Sequence, residues 1–501
     1  MSRFTDQISR SAPHRATLQT AKMKVPVVFH ISGELMPGDA TLEQLESVCS
    51  NGCLYHHVAA MADVHSKPGR KNATGTTIAS TTSVLPQVND SDPACGMRLV
   101  RTNMNESNTT PEDIEKLFHA LTETVPTKKF VGTYIPFWTV VDICRNGVSA
   151  LIKHLNIQTK YEEQNSLDRG NFFASAPSRS DILSLIPGLF LFFAQFRLGI
   201  LGAAGNHFLD LMKVTEIMDE PTAAKLGVKS GDYVFMVHCG SGILGQYTMY
   251  SYTAKRREHL SQAIMVTLGK LLFWTKNRKS FNKIQEIIRK SGNGRAEPLI
   301  EYQGAEADLY MQARNACSNF AHANRATITH NVSETIKSVL GRDPQFELIY
   351  DMPHILVSRE NHYGSDVWVH RNGTSRAYGP SRMSDHSIFK DTGEPAFVPS
   401  SLSTEAYLCV GTDSNESSFY SSNHGCGKAT VAQGDVVPKS KEELHQKLAT
   451  QGVRLYNGKS SKVIEQDSSQ YKKIDEVMAG IVANQITKPV AKMQPVSVIM
   501  Y

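Results

Sequence analysis

Strand-like and helix-like segments alternate along all 501 residues, with no internal repeat and no clear linker between them. Length alone would allow about two to four domains. With nothing to mark a boundary, the expected architecture is one large mixed domain of the α+β class. Residues 24–501 would form it, behind a polar, flexible leader at 1–23.

The periodicities behind this reading are local. "KVPVVFHISG" (24–33) alternates in part and reads as a first strand. "TLEQLESVCS" (41–50) places Leu42, Leu45 and Val48 on one helix face. "TPEDIEKLFHALTETV" (110–125) is a stronger helix, with Thr110 as N-cap and Glu112 and Asp113 near the positive end of its dipole. Helical spacing returns at 254–290 and in "EADLYMQARNACSNFAHANRATITHNVSETIKSVL". Strands are expected at 232–241, 366–373 and 406–412, and Ser440 with Glu443 has the pattern of a capping box. Residues 66–91 and 372–402 are rich in Ser, Thr, Gly and Pro and read as loops.

Composition narrows the function classes. The chain is 41% hydrophobic and 20% charged, which is ordinary for a globular protein. A net charge of +5 permits an anionic partner such as nucleic acid without requiring one. No long Lys/Arg run occurs, so a surface for RNA has to be assembled by folding. The eight cysteines are scattered, unlike a secreted disulfide framework, and suit reduced thiols in the cytoplasm. "ILSLIPGLFLFFAQF" (182–196) is interrupted by Pro-Gly and too short to span a bilayer, so it reads as buried core.

Six segments place metal-ligating or nucleophilic residue types beside small or turn-forming ones. They are "MADVHSKPG" (61–69), "DSDPACGM" (90–97), "GNHFLD" (205–210), "MVHCGSG" (236–242), "YDMPHILV" (350–357) and "SSNHGCGKA" (421–429). A lone histidine is more often a satisfied core or surface residue than a ligand. Context strengthens several here. Asp92 and Cys95 are close enough for both side chains to converge on one point, His238 ends an apolar strand at Gly-Ser-Gly, and Gly205 and Asn206 flank His207. Imidazoles, a thiolate and a carboxylate suit a divalent transition metal, and ligand chemistry alone names zinc before manganese.

Taken in order, "HHVAAMADVH", "DPACGM", "LGILGAAGNHFLDL", "HCGSGILG", "ANRATITHN", "VHRNGTSRA", "TGEPAFVPSSLSTEAYLCVGT", "HGCGKA" and the closing "YKKIDEVMAGI…AKMQPVSVIMY" resemble the RtcB family of RNA ligases. The resemblance runs from about residue 24 to the C-terminus. It implies a metal-centred cleft with two Mn²⁺ ions bridged by Cys95. Asp92, Cys95 and His207 would hold one ion; Cys95, His238 and His354 would hold the other. His424 would be the nucleophile that accepts GMP from GTP. Asn206, His207, Phe208, Leu209, Asp210, His354, Ile355, Pro399, Ser400, Ser401, Leu402, Ala406, Gly425, Cys426, Gly427, Lys428, Tyr471 and Met500 align with the guanylate pocket. The implied reaction joins an RNA 2′,3′-cyclic-phosphate or 3′-phosphate end to a 5′-hydroxyl, as in tRNA splicing or RNA repair. Implied partners are RNA, GTP and an archease-type helper, with no membrane and a monomeric state.

Departures from the family pattern cluster outside the metal set. Lys428 stands where arginine is common, Asp210 where glutamate is usual, Ile355 where asparagine is typical, and Ala406 replaces a hydroxyl. "PSSL" replaces Pro-Gly-Ser-Met. Gly242, Asn372 and Met500 occupy positions where arginine, lysine and lysine are expected. Replacing lysine by methionine removes three donors and a charge. Two readings follow: an active GTP- and Mn²⁺-dependent RNA ligase, or a relative that keeps the metals and has lost ligation, acting on RNA ends as a phosphoesterase or binding RNA as a regulator.

Overall fold

A computed structural model describes the chain apart from residues 1, 90–91, 129, 203–205, 254–259, 274, 293–297, 430–436, 457 and 459. Gly205 and the first six residues of the helical stretch expected at 254–290 lie outside the described residues.

Two large sheets organise the molecule. The first has seven strands in the order Ile8–Ala12, Arg15–Leu18, Val27–Phe29, Leu54–His65, Thr74–Ser80, Ser365–Asn372 and Ile355–His362. The second, eight-stranded, runs Pro395–Val398, Ala406–Gly411, Thr487–Met500, Phe208–Ile217, Asp232–Cys239, Gly96–Asn105 and Glu347–Pro353, with Arg454–Tyr456 added in parallel beside Thr487–Met500. The chain passes from the second sheet to the first between Pro353 and Ile355, and His354 sits at the crossing.

The helix Gly304–Leu340 has 37 residues, about 55 Å of rise. It is buried around most of its circumference over its first two thirds, which is why its sequence is rich in Ala and carries no clean apolar stripe. It stops at Gly341, whose φ of 63° gives a left-handed C-cap. Arg314 and Arg325 lie wholly inside. Arg325 and Arg98 meet Asp351, and Arg98 also pairs with Glu162, so two guanidiniums face two carboxylates in the core. Removing one partner would strand a buried charge, at about 3–5 kcal/mol.

The capped helices form as expected. Pro111–Thr124 starts at a reciprocal Thr110–Asp113 capping box. Ser440 accepts from the Glu443 amide, while the Glu443 carboxylate takes the Lys439 amide, so only half of that box closes. Strands Asp232–Cys239, Ser365–Asn372 and Ala406–Gly411 fall where alternation places them.

Three expectations change. The 1–23 leader folds: Ile8–Ala12 and Arg15–Leu18 pair as a hairpin on the edge of the first sheet, with Phe4, Ala16 and Leu18 buried. Few apolar residues suffice because an edge hairpin needs only one buried face. The loops at 66–91 and 372–402 contain strands Thr74–Ser80, Thr374–Arg376 and Pro395–Val398. Their Thr and Ser side chains are buried in hydrogen bonds such as Thr77 to Thr374 at 2.9 Å. The apolar run at 182–196 is two short helices, Arg179–Leu185 and Gly188–Ala194, broken at Pro187; Leu185 and Leu191 are buried, but Phe192 is 49% exposed. No helix among the described residues is long and apolar enough to cross a membrane.

Candidate metal centre and adjoining pocket

Antiparallel pairing brings the candidate ligands together. Cys95 precedes strand Gly96–Asn105, His238 lies near the end of Asp232–Cys239, His207 precedes Phe208–Ile217, and His354 follows Glu347–Pro353. Because these neighbours alternate in direction, their starts and ends meet at one edge of the second sheet. The register places His238 opposite both Met97 and Phe208, and Gly96 opposite both Cys239 and Pro353. Gly96 lets the backbones close up, since a Cβ there would strike the Met352 carbonyl.

The Cys95 Sγ lies 3.5 Å from His207 Nε2 and 3.3 Å from His238 Nε2. Donor atoms of these three buried residues all fall within 4.8 Å of one another. A tetrahedral ion at ~2.3 Å from sulfur and ~2.0–2.1 Å from nitrogen would set S and N ~3.6 Å apart, so the spacing fits a shared transition metal. Asp92 and His354 flank the trio. Asp92 Oδ2 is 3.9 Å from His207 Nε2, and the His354 ring centre is 4.9 Å from that of His238.

Each donor is held from behind. The Cys95 amide donates to the Asp92 carbonyl at 3.0 Å, closing the turn through Ala94, whose φ is 54°. Asp92 Oδ1 accepts from the Ser241 amide at 2.9 Å and hydroxyl at 2.6 Å. His207 Nδ1 donates to the Leu201 carbonyl at 2.9 Å, which turns the Nε2 lone pair toward Cys95. Burial holds the His207, His238 and His354 imidazoles below their ordinary pKa, so all three rings are neutral and able to coordinate. His354 Nδ1 is buried without a hydrogen-bond partner, as a nitrogen reserved for a ligand would be.

His424 stands beside this cluster, its ring centre 4.8 Å from that of His354. It follows strand Ser421–Asn423, which pairs with Thr374–Arg376. Its Nδ1 donates to Asp63 Oδ2 at 2.7 Å, which leaves Nε2 as the free nitrogen. Asp63 comes from the long strand Leu54–His65 and is fully buried. Next to His424 opens a pocket of about 160 Å³ that reaches from His238 to Met500.

The family model described as tRNA-splicing ligase RtcB matches residues 44–501. The chain belongs to the RtcB family. It is 28% identical over 422 residues to the Pyrococcus furiosus protein named tRNA-splicing ligase RtcB, covering 81% of this chain and 39% of that protein. The chain spans between 39% and 44% of the length of the Pyrococcus relatives it matches. With the Aeropyrum pernix protein of the same name, identity is 26% over 498 residues, 95% of each chain. An Entamoeba histolytica protein named RNA-splicing ligase RtcB homolog 1 is 27% identical over 421 residues, 81% of this chain and 73% of its own.

In this RtcB-family chain most of the expected guanylate-pocket residues do line one cavity. Asn206, Phe208 and Asp210 form one wall. Pro399, Ser400, Ser401 and Leu402 form a second, Gly425, Cys426, Gly427 and Lys428 a third, and Tyr471 and Met500 complete it. His207 and His354 sit in the ligand cluster instead. Three residues turn away. Leu209 alternates with Phe208 and Asp210 and packs into the core on the other side of the strand. Ala406 is fully buried in the core under the second sheet. Ile355 is buried and offers its carbonyl to Ala94 and Arg314.

The pocket's electrostatics are unusual. Burial pushes the Asp210 carboxyl well above the usual carboxylate range, and its Oδ1 is buried with no hydrogen-bond partner. Lys428 lies 4.1 Å over the Tyr471 ring and donates to the Glu465 carbonyl, and burial lowers its pKa to about 8. Met500 packs with Leu402 and Val498, so that end is apolar. Gly242 opens a helix, and a Cβ there would meet only open space. Asn372 is buried, donating to the Ala73 carbonyl at 3.1 Å.

Sequence reasoning gave no role to Asp63, although its segment was singled out. Lys472 carries no sequence signal. It is buried, lowered by burial to a pKa of about 8, and donates to the Ala62 and Val64 carbonyls on either side of Asp63. Nothing local marks that lysine; its partner lies some four hundred residues away.

Proposed function

We propose that this protein is a GTP- and Mn²⁺-dependent RNA ligase that joins 2′,3′-cyclic-phosphate or 3′-phosphate ends to 5′-hydroxyl ends, with His424 as the nucleotide-accepting residue. The observation that carries the reading is the His424 Nδ1–Asp63 bond at 2.7 Å beside the ligand cluster. It fixes the tautomer in which Nε2 carries the lone pair, the form a nucleophilic imidazole needs.

Asp92, Cys95 and His207 would hold one ion, and Cys95, His238 and His354 the second. Bound there, divalent ions neutralise phosphate oxygens and make phosphorus more electrophilic. His424 Nε2 attacks the α-phosphorus of GTP; the N–P bond forms as the bond to pyrophosphate breaks. Asp63 holds the ring through that step and offsets the charge it gains. Water opens a cyclic phosphate to a 3′-phosphate. An oxygen of that phosphate then displaces His424 from the GMP phosphorus, giving an RNA end activated through a pyrophosphate linkage. The incoming 5′-hydroxyl attacks the RNA phosphorus, and GMP leaves. Gly425 and Gly427 let backbone approach phosphate, and Lys428 supplies charge.

RNA ends, from cut tRNA or broken RNA, are the proposed substrates, with an archease-type helper as a proposed partner. A cytoplasmic monomer completes the proposal, and the absence of disulfides among the eight cysteines suits a reducing compartment. The second reading, an RNA-end phosphoesterase or RNA-binding regulator that retains the metals, is favoured by the apolar end of the pocket at Met500. Labelled GTP with Mn²⁺ decides between them. The ligase reading expects a covalent protein–GMP species that is absent in His424→Ala. No adduct with any nucleotide favours the second reading, and an adduct with a different nucleotide relocates base specificity to the Met500 end.

A further inference from the structure

All the candidate ligands are carried on segments that reach one helix. At its buried centre, Asn324 and Arg325 of "ANRATITHN" face the ligand edge, and Arg314 lies three turns earlier. Arg325 Nη1 donates to the Ala94 carbonyl at 2.8 Å and to the Cys239 carbonyl at 2.9 Å. Those carbonyls belong to the residue before Cys95 and the residue after His238. Asn324 Nδ2 donates to the Gly240 and Ile200 carbonyls at 3.2 Å, and its Oδ1 accepts from the Gly199 amide at 2.9 Å. That loop presents the Leu201 carbonyl to His207, and Gly240 abuts the carboxylate of Asp92. Arg314 Nη2 donates to the Ile355 carbonyl at 2.9 Å, just beyond His354.

We infer that helix Gly304–Leu340 is the jig of the metal centre: Arg314, Asn324 and Arg325 are positioning residues that hold the backbone of every ligand segment in register. The arrangement is built for rigidity. The three side chains are at least 95% buried. Arg325 is held from its far side: its Nε donates to Asp351 Oδ1 at 2.8 Å, its Nη2 lies 2.7 Å from the same oxygen as an ion pair, and Arg98 pairs with the other oxygen of Asp351. One planar guanidinium thus spans a carboxylate and two carbonyls, a fork that lysine cannot reproduce. None of the three touches a ligand side chain's donor atom directed at the metal, so their effect is on where the donors stand.

The inference rests on the metal reading above, and its test separates the two. Co²⁺ serves as the probe, since a thiolate–cobalt charge-transfer band reports on Cys95. Wild type is expected to take up two ions per chain with that band. Arg325→Lys, still folded by circular dichroism, is expected to bind about 10- to 100-fold more weakly with a diminished band. Asn324→Ala is expected to lose the ion that depends on His207 while keeping the other. A folded Arg325→Lys with wild-type stoichiometry, affinity and band overturns the jig. If wild type binds no Co²⁺, the metal reading fails, and hydrogen exchange on the metal-free chain judges the jig. Arg325→Lys should then speed exchange at 92–97 and 238–241 together; unchanged exchange overturns it. Should neither variant fold, the wild-type chain in rising urea answers: segments 92–97, 199–202 and 238–241 must open with residues 318–329, and opening well before them contradicts the inference.

Discussion

The ligand edge of the second sheet and the pocket beside it differ in how much of their geometry is fixed from outside. At the ligand edge, Cys95, His207, His238 and His354 sit at or beside the ends of strands, and Arg314, Asn324 and Arg325 bond the backbone near them. Few positions can change without moving a sulfur or a nitrogen. In the pocket the walls come from separated loops, and the side chains facing inward, such as Met500, Leu402 and Asp210, are constrained by packing alone. Of the departures from the family pattern, Asp210, Ser400, Leu402, Lys428 and Met500 line this pocket, whereas Gly242, Ile355, Asn372 and Ala406 lie outside it, and none is a candidate ligand. An over-determined site resists substitution, whereas a wall of independent side chains can drift while the fold persists.

Substitutions test that contrast, beginning with the largest effect. Cys95→Ala should abolish both metal uptake and GMP loading, whereas His424→Ala should abolish loading and leave metal uptake intact. Metal analysis and labelled GTP read the two properties separately, and loss of metal in His424→Ala would break the division. Asp63→Asn comes next. It keeps the size of the side chain but weakens the hold on His424 Nδ1, and GMP loading should slow about 100-fold in single-turnover kinetics with metal content unchanged. Met500→Lys should tighten GTP relative to ATP by about 10-fold, the worth of one charged hydrogen bond, read as the ratio of KM values. Thr110→Ala, far from both regions, should lower stability by about 1 kcal/mol in urea melts and leave loading unaltered.

Folding stability should also fall with acid. The His30 pKa is lowered to about 4, and those of His322 and His370 to about 3, chiefly by burial. The unfolded chain binds protons at these rings near the ordinary value of 6.5 and the folded chain does not. Stability is therefore fully present above 6.5 and drains as pH drops toward 3, which thermal melts across that window check.

What the sequence disclosed followed from how local each signal is. Capped helices and alternating strands were legible because their determinants lie within a few residues, as at Thr110 and in Asp232–Cys239. The edge hairpin at Ile8–Leu18 and the Thr-rich strand Thr74–Ser80 were hidden, because their stability comes from pairing with distant strands. The metal set stood out through residue type and small neighbours. The pocket was legible by resemblance, except where strand alternation turns Leu209 inward and core packing takes Ala406. Asp63 and Lys472 act across long sequence separations, and no local pattern announces such a contact.

The central claim is that one thiolate sits between two cations beneath the His424 ring. Anomalous diffraction from crystals soaked in Mn²⁺ tests it directly. The account predicts two peaks, both within bonding distance of Cys95 Sγ, one toward His207 and one toward His354. A peak pattern that leaves Cys95 without manganese, or a single ion remote from it, would contradict the account.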